Sequence, residues 1–418
     1  MNFLEFLSAY SAIGDAFYTY WWIVFPVAFY FFFKLLWMDF VIFLSADSWV
    51  KSLEWTLLEI IPPKDIEKSP KVMESIYAGI AGVVVGFTPF DLYLEGKFTD
   101  RFSLELVGNE GEVHFYIRTQ KKLRNLIEAQ IYAQFPDSEI TEVEDYVDKF
   151  PKTVPNKNWD LWGTDIELAM PDPYPIKTYD KFEEDITGTM IDPLAAMAEV
   201  IGRLGPGQNI WLQIIVEPLK EIWRQDEMEL VDELAKKAGT KEKNILDHLA
   251  DVFSNLIKGF SQVVEFEKDE KKDDQPVEFK LTPGEKEVLK AVEENLGRNA
   301  FKTKMRLIYL GRQEVFDKSF VSAFFGSLKQ FNDLNLNNLK PQDDSKTYAN
   351  YFFKKDRLAY RQRRIYKRYK DRSMDGLTFV FTTKELATIY HFPDMGVKAP
   401  SITTLGSKRG SAPSNLPV

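Results

Sequence analysis

Residues 16–33 read AFYTYWWIVFPVAFYFFF, an uncharged run that starts at Ala16, ends at Phe33 and lies between Asp15 and Lys34. Roughly 20 apolar residues at 1.5 Å rise cross a bilayer core of about 30 Å, so the pattern predicts one transmembrane helix. Trp21 and Trp22 suit an interfacial belt, and Pro26 is tolerable in a lipid-embedded helix. No Lys or Arg precedes the run and no small-residue cleavage site follows it, which argues against a secretory signal peptide. Basic residues come only afterwards, at Lys34, Lys51 and Lys64. The positive-inside rule therefore predicts a single-pass cell-membrane protein with its N-terminus outside and the bulk of the chain cytoplasmic. Residues 35–50 are apolar but carry Asp39 and Asp47, which predicts an interfacial helix rather than a second span.

Beyond residue 50 the pattern changes to short alternating runs separated by segments of helical period. Leu53, Trp55 and Leu57 alternate with polar residues and predict a strand that ends at Pro62-Pro63. Ser69-Pro70 opens a helix with Val72, Met73, Ile76, Tyr77 and Ile80 on one face. Phe102, Leu104 and Leu106 face one side of a strand, and Val113, Phe115 and Ile117 answer them across the turn GNEGE. A helix with Leu123, Leu126, Ile127 and Ile131 and a strand over about 139–146 complete a β-α-β-β-α-β order, the ferredoxin-like plan in which two helices cover one face of the sheet.

A second pass begins near Trp159. Strands are predicted around Ile166, Ile210 to Val216, Met305 to Tyr309 and Leu377 to Phe381, and helices after Asp192-Pro193 and around Phe320 to Leu328. Thr282 and Glu285 form a capping box ahead of Val288, Leu289, Val292 and Leu296. The expected fold class is thus α+β: one N-terminal transmembrane helix and two ferredoxin-like (βαββαβ) halves, the second with a helical insertion. In domain terms these are an anchor at 1–50, a first half at 51–150, a second half at 151–382 with its insertion at 218–300, and a C-terminal helix and tail at 383–418. Residues 265–278, EFEKDEKKDDQPVE, are too polar to pack and predict a loop.

Candidate chemistry is sparse. The net charge of −10 argues against the whole molecule being a nucleic-acid binder, and the absence of cysteine excludes disulfides and thiolate catalysis. His114, His248 and His391 share no ligand spacing. Neither a GxxxxGK[ST] loop nor a GxSxG elbow occurs, and the glycines at 79, 82, 86, 205 and 207 read as packing and turn positions. No catalytic residue, cofactor or metal site is therefore expected. One charge feature stands out: residues 354–372, with Lys354, Lys355, Arg357, Arg361, Arg363, Arg364, Lys367, Arg368, Lys370 and Arg372 interleaved with Tyr360, Tyr366 and Tyr369. It is a solvated helix without a ligand, a surface for anionic lipid, or a nucleic-acid track on which Arg and Tyr stack against bases. The expected membrane tether favours lipid over nucleic acid.

Three stretches together, residues 54–82, 102–140 and 382–393, resemble the N-terminal membrane-anchored portion of uncharacterised bacterial proteins related to type IV secretion and conjugation coupling ATPases. In that group the portion precedes a HerA/FtsK-like motor. This chain lacks the phosphate loop, so the group's ATPase activity is not carried over. The resemblance implies a non-enzymatic membrane-anchored scaffold or assembly domain with a separate motor ATPase as partner. Helix 383–390, opened by a capping box of Thr382 and Glu385, and the tail 398–418 would be the link toward it. The alternative is a tethered module that binds nucleic acid or anionic lipid through 354–372. Self-association is left open.

Overall fold

The computed structural model describes residues 3–37, 49–63, 68–82, 88, 90–91, 95, 97, 99–182, 192–220, 223, 228 and 282–393. The chain divides into two compact units, Met1–Trp55 with Val84–Asp100 and Thr56–Val83 with Arg101–Val418.

The first unit holds α1, Phe3–Leu36, a helix of 34 residues. Among the described residues no helix is long and apolar enough to cross a membrane. That overturns the expected span through Ala16, Trp21, Trp22, Pro26 and Phe33, and with it the single-pass cell-membrane location. The reason is that aromatic content is not apolarity. Tyr18, Tyr20, Trp21, Trp22 and Tyr30 all bring an O–H or N–H, and Thr19 and Pro26 dilute the run further. Trp22 already uses its Nε1 to donate to the carbonyl of Thr19 at 3.0 Å. The proposed interfacial continuation falls largely on residues 38–48, outside the described residues.

The second unit is built on one antiparallel sheet of nine strands: β1 Trp55–Ile61, β2 Phe102–Asn109, β3 Glu112–Gln120, β4 Glu139–Val143, β5 Trp159–Leu168, β6 Gln208–Pro218, β7 Ala300–Arg312, β8 Leu339–Pro341 and β9 Phe379–Thr382. Their order is β4-β1-β3-β2-β6-β7-β5-β8, with β9 paired to β7. The first half of the chain thus supplies four strands and the second five, each in an interleaved order, and the halves fuse where β2 pairs with β6 from Phe102↔Val216 to Asn109↔Asn209. The fourth strand expected at 377–381 is the ninth instead. Three-residue β8 takes the edge beside β5, and β9 pairs with residues 300–303 of β7.

Five helices cover one face: α2 Lys71–Ala81, α3 Arg124–Gln134, α4 Ala195–Gly202, α6 Ser319–Leu328 and α8 Thr383–Ile389. Their apolar residues, among them Ile76, Ile127, Ile201, Phe324 and Leu386, pack with Leu104, Leu212 and Leu307 from the strands in one core. α5, Pro283–Leu296, carries the predicted Thr282/Glu285 capping box and packs Val292 and Leu296 against Tyr174. α8 is also capped as expected, by Thr382 and Glu385, and its Leu386, Ala387 and Ile389 lie in the core. Gly79 admits the approach of α3, since a Cβ there would meet Gln130 at 2.5 Å.

Gly108 is tighter still, because a Cβ would lie 2.3 Å from Cγ2 of Ile201 on α4. Gly108→Ala is expected to cost about 1–3 kcal/mol of stability in urea titration by overpacking. Truncating Ile201 to Ala in the same chain should recover part of that loss. A Gly108→Ala chain as stable as the parent would refute the close packing.

The sheet's other face is also buried, contrary to the plan in which helices cover one side only. Val107, Trp211, Ile308, Leu310 and Leu161 form a second core with Tyr146, Val147 and Val154. Its cover is α7, Lys354–Lys370, which contributes Ile365, Tyr366 and Tyr369.

Candidate functional site: an arginine-lined cleft on a mounted helix

The segment that reads as a basic stripe is an amphipathic helix, and its spacing decides what each side chain does. At 100° per residue, Gln362, Ile365, Tyr366 and Tyr369 fall on one flank and are the helix's buried residues. Arg357, Arg361, Arg364 and Arg368, spaced i, i+4, i+7, i+11, fall on another. The helix sits close to β5 because Gly163 lacks a side chain, and a Cβ there would be 3.3 Å from Ile365. Gln362 Nε2 donates to the carbonyl of Leu161 at 2.6 Å and to Asp160 at 2.8 Å, and Tyr366 donates its hydroxyl to the Pro151 carbonyl at 2.9 Å.

Beneath the helix runs a row of polar residues that crosses the sheet. Glu105 stands opposite Gln213, Gln213 opposite Arg306, and Arg306 opposite Asp165 on four adjacent strands. All four are nearly inaccessible, as is Lys304 one pleat away. Arg306 Nε donates to Asp165 Oδ1 at 2.7 Å, and Lys304 Nζ faces Oδ2 at 2.8 Å as an ion pair rather than an aligned hydrogen bond. Arg306 also donates to the Arg368 carbonyl at 2.8 Å and the Ser373 carbonyl at 3.2 Å, so a buried guanidinium satisfies a carbonyl at the end of α7 and one just beyond it. Arg372 completes the mount, with Nε 3.0 Å from Glu105 and a second contact to Asp145. Three carboxylates, Glu105, Asp145 and Asp165, thus meet three cations, Lys304, Arg306 and Arg372.

The protonation of this network follows from its burial. Desolvation pushes the Glu105 carboxyl up, but Arg372, Ser103 and Tyr146 outweigh it and hold it below the usual range. Burial lowers the Lys304 and Arg306 cations against the pull of Asp165. It also raises the hydroxyls of Tyr146 and Tyr369, which face each other at 2.5 Å.

Above this base lies a cleft of about 470 Å³ lined by Asp344, Ser345, Asp356, Tyr360 and Ile365 together with the four arginines. Four guanidiniums against two carboxylates leave the lining cationic. None of Arg357, Arg361, Arg364 and Arg368 lies in an ion pair among the described residues, so their charge is not internally neutralised. Arg361 Nη1 donates to the carbonyls of Lys346 and Tyr348 at 3.0 and 2.9 Å, and Arg357 Nη1 to that of Asn350 at 3.3 Å. These bonds draw the segment after β8 alongside the helix and build the far wall.

The basic residues expected to act together therefore separate. Lys354 and Lys355 are exposed in the first turn, at a helix end with no side-chain cap. Arg363 and Lys367 are exposed, outside the cleft lining. Lys370 Nζ stands 3.9 Å from Asp148, outside the cleft lining, and Arg372 is buried in the mount. Tyr366 and Tyr369 are core residues rather than stacking platforms, and only Tyr360 of the three tyrosines faces the cleft.

Of the histidines, His114 Nδ1 meets Glu59 at 2.8 Å and His391 Nε2 meets Asp192 at 3.0 Å, while His248 lies outside the described residues. Among the described residues no cluster of His, Cys, Asp or Glu could hold a metal ion. Sequence reasoning missed the buried row and the wall residues Asp344 and Ser345. The row did leave a signal: Glu105, Asp165 and Arg306 are charged residues within otherwise largely apolar strands.

Fold and site together define an α+β protein in which one continuous antiparallel sheet carries a basic helix on a buried ionic mount. The chain belongs to the DUF8128 family, a domain of unknown function, whose family model matches residues 46–404. No curated protein matches it.

Proposed function

We propose that the chain is a non-enzymatic binding module whose arginine cleft holds a nucleic-acid backbone, in the service of a separate motor ATPase of the secretion or conjugation kind. The partner half of this reading rests on the sequence resemblance. The ligand half rests on one observation: four arginines in a single stripe, none in an ion pair among the described residues and outnumbering the two lining carboxylates, line a cleft on a helix pinned at its C-terminal end by a buried guanidinium. Planar guanidiniums present paired N–H donors that match phosphate oxygens, and fixed ones lose less freedom on binding than mobile lysines do. The case for anionic lipid drew on an anchoring span, which no described helix supplies.

The test is fluorescence anisotropy of a labelled oligonucleotide at several salt concentrations. Arg357→Gln/Arg364→Gln/Arg368→Gln should lower affinity at least tenfold and flatten the slope of log K against log salt by roughly 2–3. The unfolding midpoint should change little, since Arg364 and Arg368 are outside the core and Arg357 gives up one exposed bond of 3.3 Å to the Asn350 carbonyl. Unaltered affinity, or oligonucleotide binding without salt dependence, would remove the basis of the proposal.

A further inference from the structure

Beside the arginine cleft the chain displays five aromatic rings to solvent. Tyr351, Phe352 and Phe353 are 85%, 84% and 80% exposed, and Tyr348 and Tyr360 are 56% and 63% exposed. Bulky residues this exposed normally collapse onto a core, since each ring shields substantial apolar area when buried. Here the backbone prevents it. Tyr351 and Phe353 adopt φ of 68° and 56°, a left-handed conformation that is uncommon for any residue but glycine and rare for bulky ones. Such strain persists only where the surroundings over-determine it.

The surroundings do so on both sides. Thr347 donates its N–H to the Gly163 carbonyl at 3.0 Å and accepts from Gly163 N at 2.9 Å on its hydroxyl, while Arg361 and Arg357 hold the carbonyls of Lys346, Tyr348 and Asn350. After Phe353 the helix begins at once, with the Arg357 N–H bonded to the Phe353 carbonyl at 3.0 Å. The rings are thus presented beside the cationic wall by the same arginines that line it.

Resting on the nucleic-acid reading above, we infer that the ligand is single-stranded, its phosphates on the arginine stripe and its bases stacked on Tyr348, Tyr351, Phe352, Phe353 and Tyr360. From Arg357 to Arg368 the helix rises about 16 Å, long enough for several consecutive phosphates of one strand to meet the stripe. Arginine alone accepts a duplex as readily as a single strand. Rings that stand free in solvent add something only if base faces are available, and a duplex hides them. Stacking tolerates any base, so the site takes single strands with little sequence preference.

The experiment compares, on the full chain, a 20-residue thymidine oligonucleotide, a duplex of the same length, and vesicles of phosphatidylserine with phosphatidylcholine. The rings are removed in Tyr351→Asn/Phe353→Asn, where Asn tolerates the left-handed backbone, and separately in Tyr360→Ala on the helix surface. The single strand should bind at least tenfold more tightly than the duplex. Both variants should lose most of that preference; Tyr351→Asn/Phe353→Asn should still bind duplex at the parent's affinity, and Tyr360→Ala should keep the parent's unfolding midpoint, which together show that the cleft is folded. Equal affinity for both nucleic acids would overturn the single-strand inference and leave the cleft's reading standing. Binding of neither would overturn both, and binding of vesicles alone would assign the rings and arginines to a lipid surface and overturn both as well.

Discussion

Arg306→Met is expected to lower the free energy of unfolding by about 3–5 kcal/mol, because it strips a buried carboxylate of its best partner and a helix end of its cap. Asp165 would keep Lys304 at 2.8 Å, but that contact is an ion pair without hydrogen-bond alignment. Gln213 would lose a donor at 3.2 Å, and the carbonyls of Arg368 and Ser373 would be left without the guanidinium. Methionine matches the length of the arginine stem, so little cavity forms and the loss reports electrostatics rather than packing. Asp165→Asn should cost a similar amount from the other side, by leaving Arg306 and Lys304 in low dielectric without a counter-charge. Removing both partners, as Asp165→Leu/Arg306→Met, should recover much of the loss, since an apolar pair has no charge to desolvate. Urea titration of the three variants settles it, and a single-variant loss below about 1 kcal/mol would mean that the row is not held by its ions. Fluorescence anisotropy of Arg306→Met, in the absence of urea, should also show weaker nucleic-acid binding at intact exposed arginines, because the helix that carries them has lost its mount.

Stability is expected to fall as pH rises from about 4.5 to 7, through Glu385. This carboxyl is wholly inaccessible, and burial raises it from 4.5 to about 7 although Thr382 and Ile176 donate to it. Between those two values the folded chain binds more protons than the unfolded chain, so the contribution is whole below pH 4.5 and lost as pH passes 7. The shift corresponds to stability on the order of 3 kcal/mol. Glu105 and Asp145 act in the opposite sense. Both lie below their ordinary values against the pull of burial, because Arg372 holds them charged, and their contribution is lost on acidification. The parent should therefore be most stable in mildly acid solution. Glu385→Gln should keep the acid limb and abolish the slope between pH 4.5 and 7, whatever its constant cost to the capping box. An unchanged slope in that variant would assign the neutral limb elsewhere.

Much of the strand and helix order was legible because both periodicities are clean in this chain. The β2 and β3 residues Phe102, Leu104, Leu106, Val113, Phe115 and Ile117 alternate as expected and pair across the predicted turn. The two capping boxes fixed the starts of α5 and α8 because a side-chain oxygen three residues before a glutamate is a local geometry, independent of tertiary context. β8 escaped because three residues, Leu339 to Pro341, are too few to show a period. The burial of the sheet's second face escaped because its middle is polar: Glu105, Gln213, Arg306 and Asp165 interrupt the apolar rows that alternation looks for. For the same reason a run of basic residues concealed two populations. Composition could not separate Arg364, which faces the cleft, from Arg372, which closes a buried ring of ions, because the difference lies in helical phase and in where α7 ends. The exposed triplet Tyr351-Phe352-Phe353 matches neither period, and its left-handed backbone at Tyr351 and Phe353 is set by hydrogen bonds to distant residues that no local pattern displays.

The fusion of β2 to β6 also bears on how this chain avoids recruiting copies of itself. An unpaired strand offers its N–H and C=O groups as a template for another chain, and longer strands make better templates. In the complete sheet the long strands, β6 of 11 residues and β7 of 13, lie inside, and the outermost are β4 with five residues and β8 with three. The path between the halves runs through residues 144–158. A first-half fragment that ended there and parted from the second half would lay bare the whole length of β2, so loop cleavage followed by dissociation exposes a long template although every strand is intact.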